Sequence, residues 1–286
     1  MAPYVPSTPA PATRTAMLEF FLEPLREPFF QRALLAVVLS GLTCACLGAY
    51  VVLRRMAFLS TALTHSILPG VVGAILLGLS PYVGALAAAL LTAGGIAWLS
   101  ARRGTSEDSA IGVMLSVMFA AGIALMSAAQ AWRDFTGLLF GSVVSVGATD
   151  LLIIGLTSAG ILFTLRVLHK ELELASFDEE YAELIGARPA WLRALLLILV
   201  ALGAVACVRL VGALLTTALF VIPSATGVLL GRTLPQVMGW GIACALFGGI
   251  SGLYLSYHFA GVPSGAGIVL CCALPYLLAR LRAPRR

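Results

Sequence analysis

Charged residues are scarce in this chain. Lys, Arg, Asp and Glu together make up only 11% of its 286 residues, whereas a soluble domain carries about a quarter. Hydrophobic residues account for 60% of the chain, and the mean hydropathy is +1.01. The shortage of charge excludes an ordinary soluble domain and predicts a polytopic membrane protein.

Several motifs of enzymes are also missing. Lys170 is the only lysine, and Glu171 follows it, so the chain lacks the Gly-Lys-Ser/Thr sequence with which a Walker A loop holds nucleotide phosphates. No H-E-x-x-H motif is present, and none of the six cysteines has C-x-x-C spacing, so the cysteines are predicted to be small apolar residues. The chain is predicted not to be an enzyme. The net charge is +5, and the arginines lie at the edges of apolar segments, which indicates that they set the topology of the chain in membrane lipid and do not bind nucleic acid.

Nine apolar segments are long enough to cross the hydrocarbon layer of a bilayer, which requires about 20 helical residues. They do not alternate polar and apolar residues as the strands of a membrane barrel do, so an all-α polytopic membrane protein is predicted. The spans are 31–53, 60–79, 81–101, 109–129, 150–168, 191–208, 211–231, 236–257 and 265–281. Residues 1–16 are rich in Pro, Ala and Thr and are predicted to be a disordered extension, which leaves 17–286 as a single transmembrane domain.

The basic residues predict the orientation of these spans. With the N-terminus outside and the C-terminus in the cytoplasm, thirteen of the 18 Lys and Arg residues fall on the cytoplasmic side. The five that fall outside are Arg14, Arg26, Arg32, Arg133 and Arg209. Because cytoplasmic loops are enriched in Lys and Arg, this orientation is favoured, and it requires an odd number of spans.

One long charged segment, residues 170–193, lies on the predicted cytoplasmic side. Glu179, Glu180 and Glu183 occupy the first turns of a short predicted helix, where acidic side chains favour the positive end of the helix dipole. Gly186 and Pro189 are expected to end this helix. The segment is either a solvated loop or a helix that receives force from a cytoplasmic partner. His169, which precedes it, is expected to be solvated.

The second span begins with FLSTALTHSILPG and contains His65 among hydroxyl side chains. Thr61 and His65 are four residues apart and share one helix face, with Ser60 and Thr64 beside it. Pro69 removes a backbone hydrogen bond near this face. An imidazole, hydroxyls and a freed carbonyl are suitable ligands for a divalent transition metal. They are equally suited to hydrogen bonds between and within helices.

The remaining polar candidates lie near the predicted outer ends of spans. Asp150 begins the fifth span, and His258 lies at the outer end of the eighth beside Tyr254 and Tyr257. His258 is either an interfacial residue or an outer contact for cargo or for a delivery protein. No Asp or Glu occupies the middle of a span, which disfavours an ion-coupled secondary transporter, because many of these use intramembrane acids.

Several segments, in order, resemble one known family. They include LGAYVVLRRMAFLSTALTHSILPGV, SEDSAIGVMLSVMFAAGI, LLFGSVVSVGATDL, KELELASFDEEYAELIGA, ALFVIPSATGVLL and LSYHFAGVPSGAGIVL. Together they cover roughly residues 28–281 and are similar to the permease subunit of ATP-binding cassette (ABC) importers for manganese, zinc or iron, the ABC-3 family.

The resemblance implies a type II-like ABC importer permease in the bacterial inner membrane. It implies a homodimer of permeases, two cytoplasmic ATPase subunits and an extracytoplasmic metal-binding protein. The cargo would be Mn²⁺, Zn²⁺ or Fe²⁺, moved by alternating access, with no cofactor bound by this chain. The sequence EYAELIG at 180–186 resembles the family's coupling segment, which docks on the ATPase.

One position departs from the family pattern. Many members have an aspartate four residues before the histidine of the second span, and here that position is Thr61. A hydroxyl is a poorer ligand than a carboxylate and carries no charge, so a dication is expected to bind here more weakly. A permease for a metal chelate or another small cargo therefore stays as the alternative.

Overall fold

A computed structural model describes residues 22–102, 104–129, 146–259 and 261–282, without the side chains of 209 and 210. All regular secondary structure in these ranges is helical. Its elements are α1 (Pro28–Leu53), α2 (Phe58–Leu76), α3 (Pro81–Ser100), α4 (Glu107–Ala129), α5 (Ala148–Val167), α6 (His169–Phe177), α7 (Glu179–Leu184), α8 (Pro189–Leu230), α9 (Leu234–His258) and α10 (Ser264–Arg282).

The predicted spans are confirmed in number and position. Within the described ranges, nine helical segments are long and apolar enough to cross a membrane, and each overlaps one predicted span. The sixth and seventh are the two halves of α8, Pro189–Val208 and Val211–Leu230. The predicted disorder of residues 1–16 concerns residues outside the described ranges.

Gly212 divides α8 into its two halves. Its backbone has φ 82° and ψ 161°, a conformation that is open almost only to glycine. Beyond this bend the chain runs back along itself. Residues on the two sides of the bend are therefore close together: a methyl group placed on Gly203 would lie 3.5 Å from Phe220 Cζ. One continuous apolar stretch therefore forms two antiparallel spans.

Proline begins four of the helices, namely those that start near Pro28, Pro81, Pro189 and Pro235. A proline in the first turn loses no hydrogen bond, because that turn's N–H groups have no partner within the helix. All six cysteines are free thiols, as the sequence predicts.

Helix α1 lies at the centre of the bundle. In the most apolar 18-residue stretch of α1, 72% of the residues are buried, compared with 22% in the corresponding stretches of α4, α5 and α10. Glycine lets its neighbours approach closely: a Cβ on Gly48 would collide with the backbone carbonyl of Phe220 in α8. Such small residues are typical of helix packing in membranes, where backbone contact replaces the hydrophobic effect.

The loops that were predicted to be cytoplasmic meet at one end of the bundle. Arg54, after α1, donates from Nε to Ser176 Oγ at 3.0 Å and from a terminal nitrogen to the Ala175 carbonyl at 3.1 Å. Arg193, at the start of α8, lies 3.3 Å from Glu107, at the start of α4. The fold therefore brings these loops together, as one shared side of the membrane requires, and the orientation itself stays a prediction.

Candidate functional site

The second span forms one wall of an open cleft of about 490 Å³. Thr61 and His65 line it from α2, and Leu214 and Thr217 face them from the second half of α8. Phe58 at its rim is 69% exposed and Leu214 is 57% exposed. The cleft therefore opens on the outer surface of the single chain and not into its core.

His65 is half-buried, and its imidazole packs edge-on against Phe119 of α4 with the ring centres 5.6 Å apart. Among the described residues, no hydrogen bond reaches either ring nitrogen of His65. Pro69, one turn further along α2, has no N–H to bond to the His65 carbonyl. His65 therefore lines the cleft with an uncommitted imidazole, and its carbonyl lacks its helical partner.

The hydroxyl groups near His65 divide into two sets. Ser60 and Thr64 are buried and bond back to their own helix, from Ser60 Oγ to the Ala57 carbonyl at 3.1 Å and from Thr64 Oγ1 to the Thr61 carbonyl at 3.0 Å. Thr61 lines the cleft with His65. Two of the four predicted residues, Thr61 and His65, therefore face open space, and the other two contribute to helix packing.

Thr217 also lines the cleft. The prediction does not include it, because that prediction considers only the second span. Thr217 Oγ1 lies 3.2 Å from Thr64 Oγ1 and donates to the Ala213 carbonyl at 3.0 Å. A hydroxyl pair in the middle of an apolar run, LLTTALF, is the sequence signal that marks it. The contact joins α2 to α8 across the floor of the cleft.

The donor set of one chain is small. It comprises one imidazole and the hydroxyls of Thr61 and Thr217, and the described residues contain no cluster of three His, Cys, Asp or Glu side chains. A resident transition metal is usually held by three or four such ligands. A single copy of the cleft is therefore suited to brief contact with a passing cation and not to its retention.

The predicted coupling segment forms α6 and α7 at the cytoplasmic end of the bundle. Asp178 caps α7 by accepting a hydrogen bond from the Tyr181 N–H at 2.9 Å. Gly186 ends it with a φ of 85°, and its N–H donates to the Glu183 carbonyl at 3.0 Å. The capping residue, the acidic first turn and the terminal glycine together explain why so short a helix is stable here.

The outer surface of this segment is unusually apolar for a region in water. Leu184 is 83% exposed, and Phe177, Tyr181 and Ile185 are each more than half exposed. Glu179, Glu180 and Glu183 are exposed around them. We call these seven residues the coupling surface. Apolar patches rimmed by polar residues mark sites of interaction with proteins or membranes. Tyr181, Leu184 and Ile185 lie in the predicted segment 180–186, although the sequence predicts individual roles only for the acids and Gly186.

His169 ties the coupling segment to the transmembrane helices. Its Nδ1 lies 2.9 Å from the hydroxyl of Tyr50, a fully buried residue of α1, and its Nε2 lies 3.7 Å from Glu173. The side chain of His169 is 27% exposed, so the ring is partly solvated and also bonded to Tyr50. Burial lowers the pKa of the neighbouring Arg54 guanidinium, and the carboxylates of Glu107 and Glu179 partly offset this.

The two outer candidates lie apart from the cleft. The Tyr82 hydroxyl donates to the Asp150 carboxylate, which also accepts from the Gly147 N–H at 3.2 Å. His258 packs against Tyr257 with ring centres 5.2 Å apart, beside an open apolar cavity of about 540 Å³. Asp150 thus stabilises the start of α5 and its contact with α3, and the roles predicted for both residues at an outer mouth stay predictions.

Known proteins resemble this chain over almost its full length. It is 33% identical over 268 residues to the manganese transport system membrane protein MntC of Halalkalibacterium halodurans, covering 93% of this chain and 91% of that protein. It is 32% identical over 263 residues to the probable iron transport system membrane protein of Haemophilus influenzae, covering 92% and 97%. The solved structure of PsaBC from Streptococcus pneumoniae in complex with Fab superposes with a TM-score of 0.82 at 30% identity, covering 94% of this chain and 96% of that chain. The family description of the ABC 3 transport family matches residues 26–283, and the chain belongs to this family.

Proposed function

We propose that this chain is the membrane-spanning subunit of an ATP-driven importer whose cargo is a divalent transition metal ion, Mn²⁺, Zn²⁺ or Fe²⁺. The observation that carries the proposal is the similarity to manganese and iron transport membrane proteins, which extends over more than nine-tenths of the chain. The protein would act in the bacterial inner membrane. It would receive the ion from an extracytoplasmic binding protein and release it to the cytoplasm by alternating access.

The ion path would run along the cleft that contains His65 and Thr217. A second copy of the chain would cover this cleft, because its rim carries exposed apolar side chains that a single copy leaves open. Two-fold symmetry would then bring a second imidazole and a second set of hydroxyls to the same path. The sparse donors support a route that an ion leaves as readily as it enters, which transport requires.

The energy would come from two ATPase subunits, since this sequence contains no Walker A motif. The coupling surface supports this assignment, because it combines exposed apolar side chains with three carboxylates at the cytoplasmic end. The hydrogen bond from Tyr50 to His169 offers a rigid connection from that surface to α1. Rocking of the ATPases would thus reach the centre of the bundle.

The proposal is tested by transport in proteoliposomes that contain the permease, its ATPase and its binding protein. We expect ATP-dependent uptake of at least one of the ions Mn²⁺, Zn²⁺ and Fe²⁺, with matching stimulation of ATP hydrolysis. Uptake of a metal chelate in the absence of uptake of any free ion would overturn the proposed cargo and support the chelate alternative.

The role of His65 is tested in the same vesicles. His65→Ala removes the only imidazole that lines the described part of the cleft, and we expect metal uptake to fall by roughly tenfold, the loss that corresponds to about 1.4 kcal/mol. The control is Leu277→Ala, which shortens an exposed side chain of α10 outside the cleft. Unchanged uptake and unchanged metal preference in His65→Ala would show that the ion does not contact this residue.

A further inference from the structure

A second cleft, separate from the His65 cleft, lies between α5 and α9 at the cytoplasmic end of the bundle. Its volume is about 650 Å³. Leu162 and Leu165 of α5 form one wall, and Met238 and Ile242 of α9 form the other. Arg166, His169 and Lys170 line the same cleft, so a basic rim adjoins an apolar interior.

The position of this cleft places it across the boundary between membrane and cytoplasm. Leu162 and Leu165 belong to the last two turns of α5, whereas Lys170 follows in α6, which is outside the membrane spans. On α9 the lining residues run from Pro235 to Ile242. At 1.5 Å per helical residue this is a depth of about 10 Å, which extends from the headgroup region into the hydrocarbon region of a leaflet.

The basic rim carries charge that the protein itself does not neutralise. Arg166 and Lys170 are exposed, and neither forms an ion pair with a carboxylate of the described residues. His169 is the exception, because its two ring nitrogens face Tyr50 and Glu173. Arg166 and Lys170 therefore place two unneutralised positive charges at the mouth of an apolar cleft, where an anionic group could bind.

We propose that this cleft binds an anionic phospholipid of the cytoplasmic leaflet, such as phosphatidylglycerol. The phosphate contacts Arg166 and Lys170, and the first part of an acyl chain lies between Leu162 and Leu165 on one side and Met238 and Ile242 on the other. Charge complementarity selects this occupant, since basic pockets between spans on the cytoplasmic side suit acidic headgroups. A soluble protein partner would not reach the apolar part of the slot, which lies within the span.

The test is native mass spectrometry of the permease released from bilayer discs of phosphatidylcholine that contain a minor fraction of phosphatidylglycerol. The wild-type chain is expected to retain phosphatidylglycerol in preference to phosphatidylcholine. The double variant Arg166→Gln/Lys170→Gln is expected to lose this preference on the order of tenfold, because each basic side chain near an anionic surface contributes about fivefold or less. Circular dichroism and gel filtration verify that the variants fold.

Two further variants separate a lipid held in the cleft from general attraction to the charged leaflet. Arg280→Gln/Arg282→Gln removes the same charge from exposed positions in the last turn of α10 and is expected to retain phosphatidylglycerol like the wild type. Gly239→Leu adds a side chain to the cleft at a glycine that has nothing within 4 Å of an added Cβ. It keeps every charge, and it is expected to reduce phosphatidylglycerol retention.

Three results would overturn the proposal. The first is equal retention of the two lipids by the wild-type chain. The second is an equal loss of phosphatidylglycerol in the Arg280→Gln/Arg282→Gln control, which would mean that only net charge matters. The third is unchanged retention in Gly239→Leu, which would place the bound lipid outside the cleft.

Discussion

The donor atoms of the cleft between α2 and α8 differ in strength. The imidazole of His65 is a good ligand for a transition metal, the hydroxyls of Thr61 and Thr217 are weak neutral ones, and no carboxylate lines the described cleft. In the ABC-3 pattern the position of Thr61 is often an aspartate, and the structure places this residue beside His65 on the open side of α2. Relative to that pattern, the cleft of this chain lacks one carboxylate at position 61.

Thr61→Asp tests the effect of this charge. A carboxylate on the cleft is expected to attract a dication by an additional 1 to 2 kcal/mol, roughly tenfold in affinity, so the Mn²⁺ concentration for half-maximal uptake falls. Thr61→Asn is the matched control, because it has the same shape as the aspartate and no charge. If both variants shift the metal dependence equally, charge at residue 61 is not what sets affinity.

The coupling surface depends on how α6 and α7 pack against the bundle. Leu172, Ala175 and Ala182 face the bundle and are buried, which turns Tyr181 and Leu184 outward. The acids identified by the sequence, Glu179, Glu180 and Glu183, surround these apolar groups. Apolar contacts at the centre of such a patch usually carry more binding energy than the charges at its rim.

Leu184→Ala tests this arrangement by co-purification of the permease with its ATPase. We expect ATPase retention to fall by roughly tenfold, because truncating a central interface residue costs about 1 to 2 kcal/mol, while the free energy of unfolding of the permease stays unchanged. Leu281→Ala is the control, since Leu281 is also 83% exposed but lies at the end of α10. Glu180→Arg is expected to weaken association too, by charge reversal at the rim. Full retention in both Leu184→Ala and Glu180→Arg would exclude this surface as the docking site.

Gly212 determines the course of α8. Its φ of 82° with ψ of 161° is costly for any residue with a Cβ. Gly212→Ala is therefore expected to lower the free energy of unfolding by about 1 to 3 kcal/mol, which thermal unfolding in detergent measures. The control is Gly239→Ala, at a helical glycine with open space around it, where no loss is expected. An unaltered melting temperature in Gly212→Ala would mean that another residue allows the bend.

At the scale of the whole molecule, the His65 cleft belongs to the surface of one copy and not to its core. Its exposed apolar rim and its incomplete donor set both favour a second permease across it, which is the homodimer that the family resemblance implies. The coupling surface and the cleft between α5 and α9 lie at the end of the bundle that is predicted to be cytoplasmic. The three proposals thus assign separate surfaces of one chain to a second copy, to an ATPase and to a lipid.

The proposed dimer is tested by oxidative cross-linking in membranes. Leu214→Cys, in a chain whose partly exposed Cys271 is replaced by Ser, is expected to form a disulfide-linked dimer. The other five native cysteines are buried. Leu277→Cys on α10 is similarly exposed and is expected to stay monomeric. A cross-link at position 277 in the absence of one at position 214 would place the dimer interface on the other side of the bundle.

The sequence alone determined the number of spans and the end of the short helix α7, and it predicted the orientation of the spans. These properties follow from local chemistry: bilayer thickness sets the length of an apolar run, arginine marks the cytoplasmic side, and proline and glycine begin and end helices. The shared face of Thr61 and His65 also follows from the helical period.

Only the tertiary structure decided which polar side chains line a cleft and which are used in contacts between helices. Thr64 is next to His65 in sequence, yet it is buried against Thr217, a residue 153 positions away. His169 contacts Tyr50, which lies 119 positions earlier in the chain, and residues of α5, α6 and α9 together line the second cleft. Such contacts depend on how the helices pack against one another, and the apolar periodicity of these spans does not specify that packing, because lipid and protein neighbours are equally apolar.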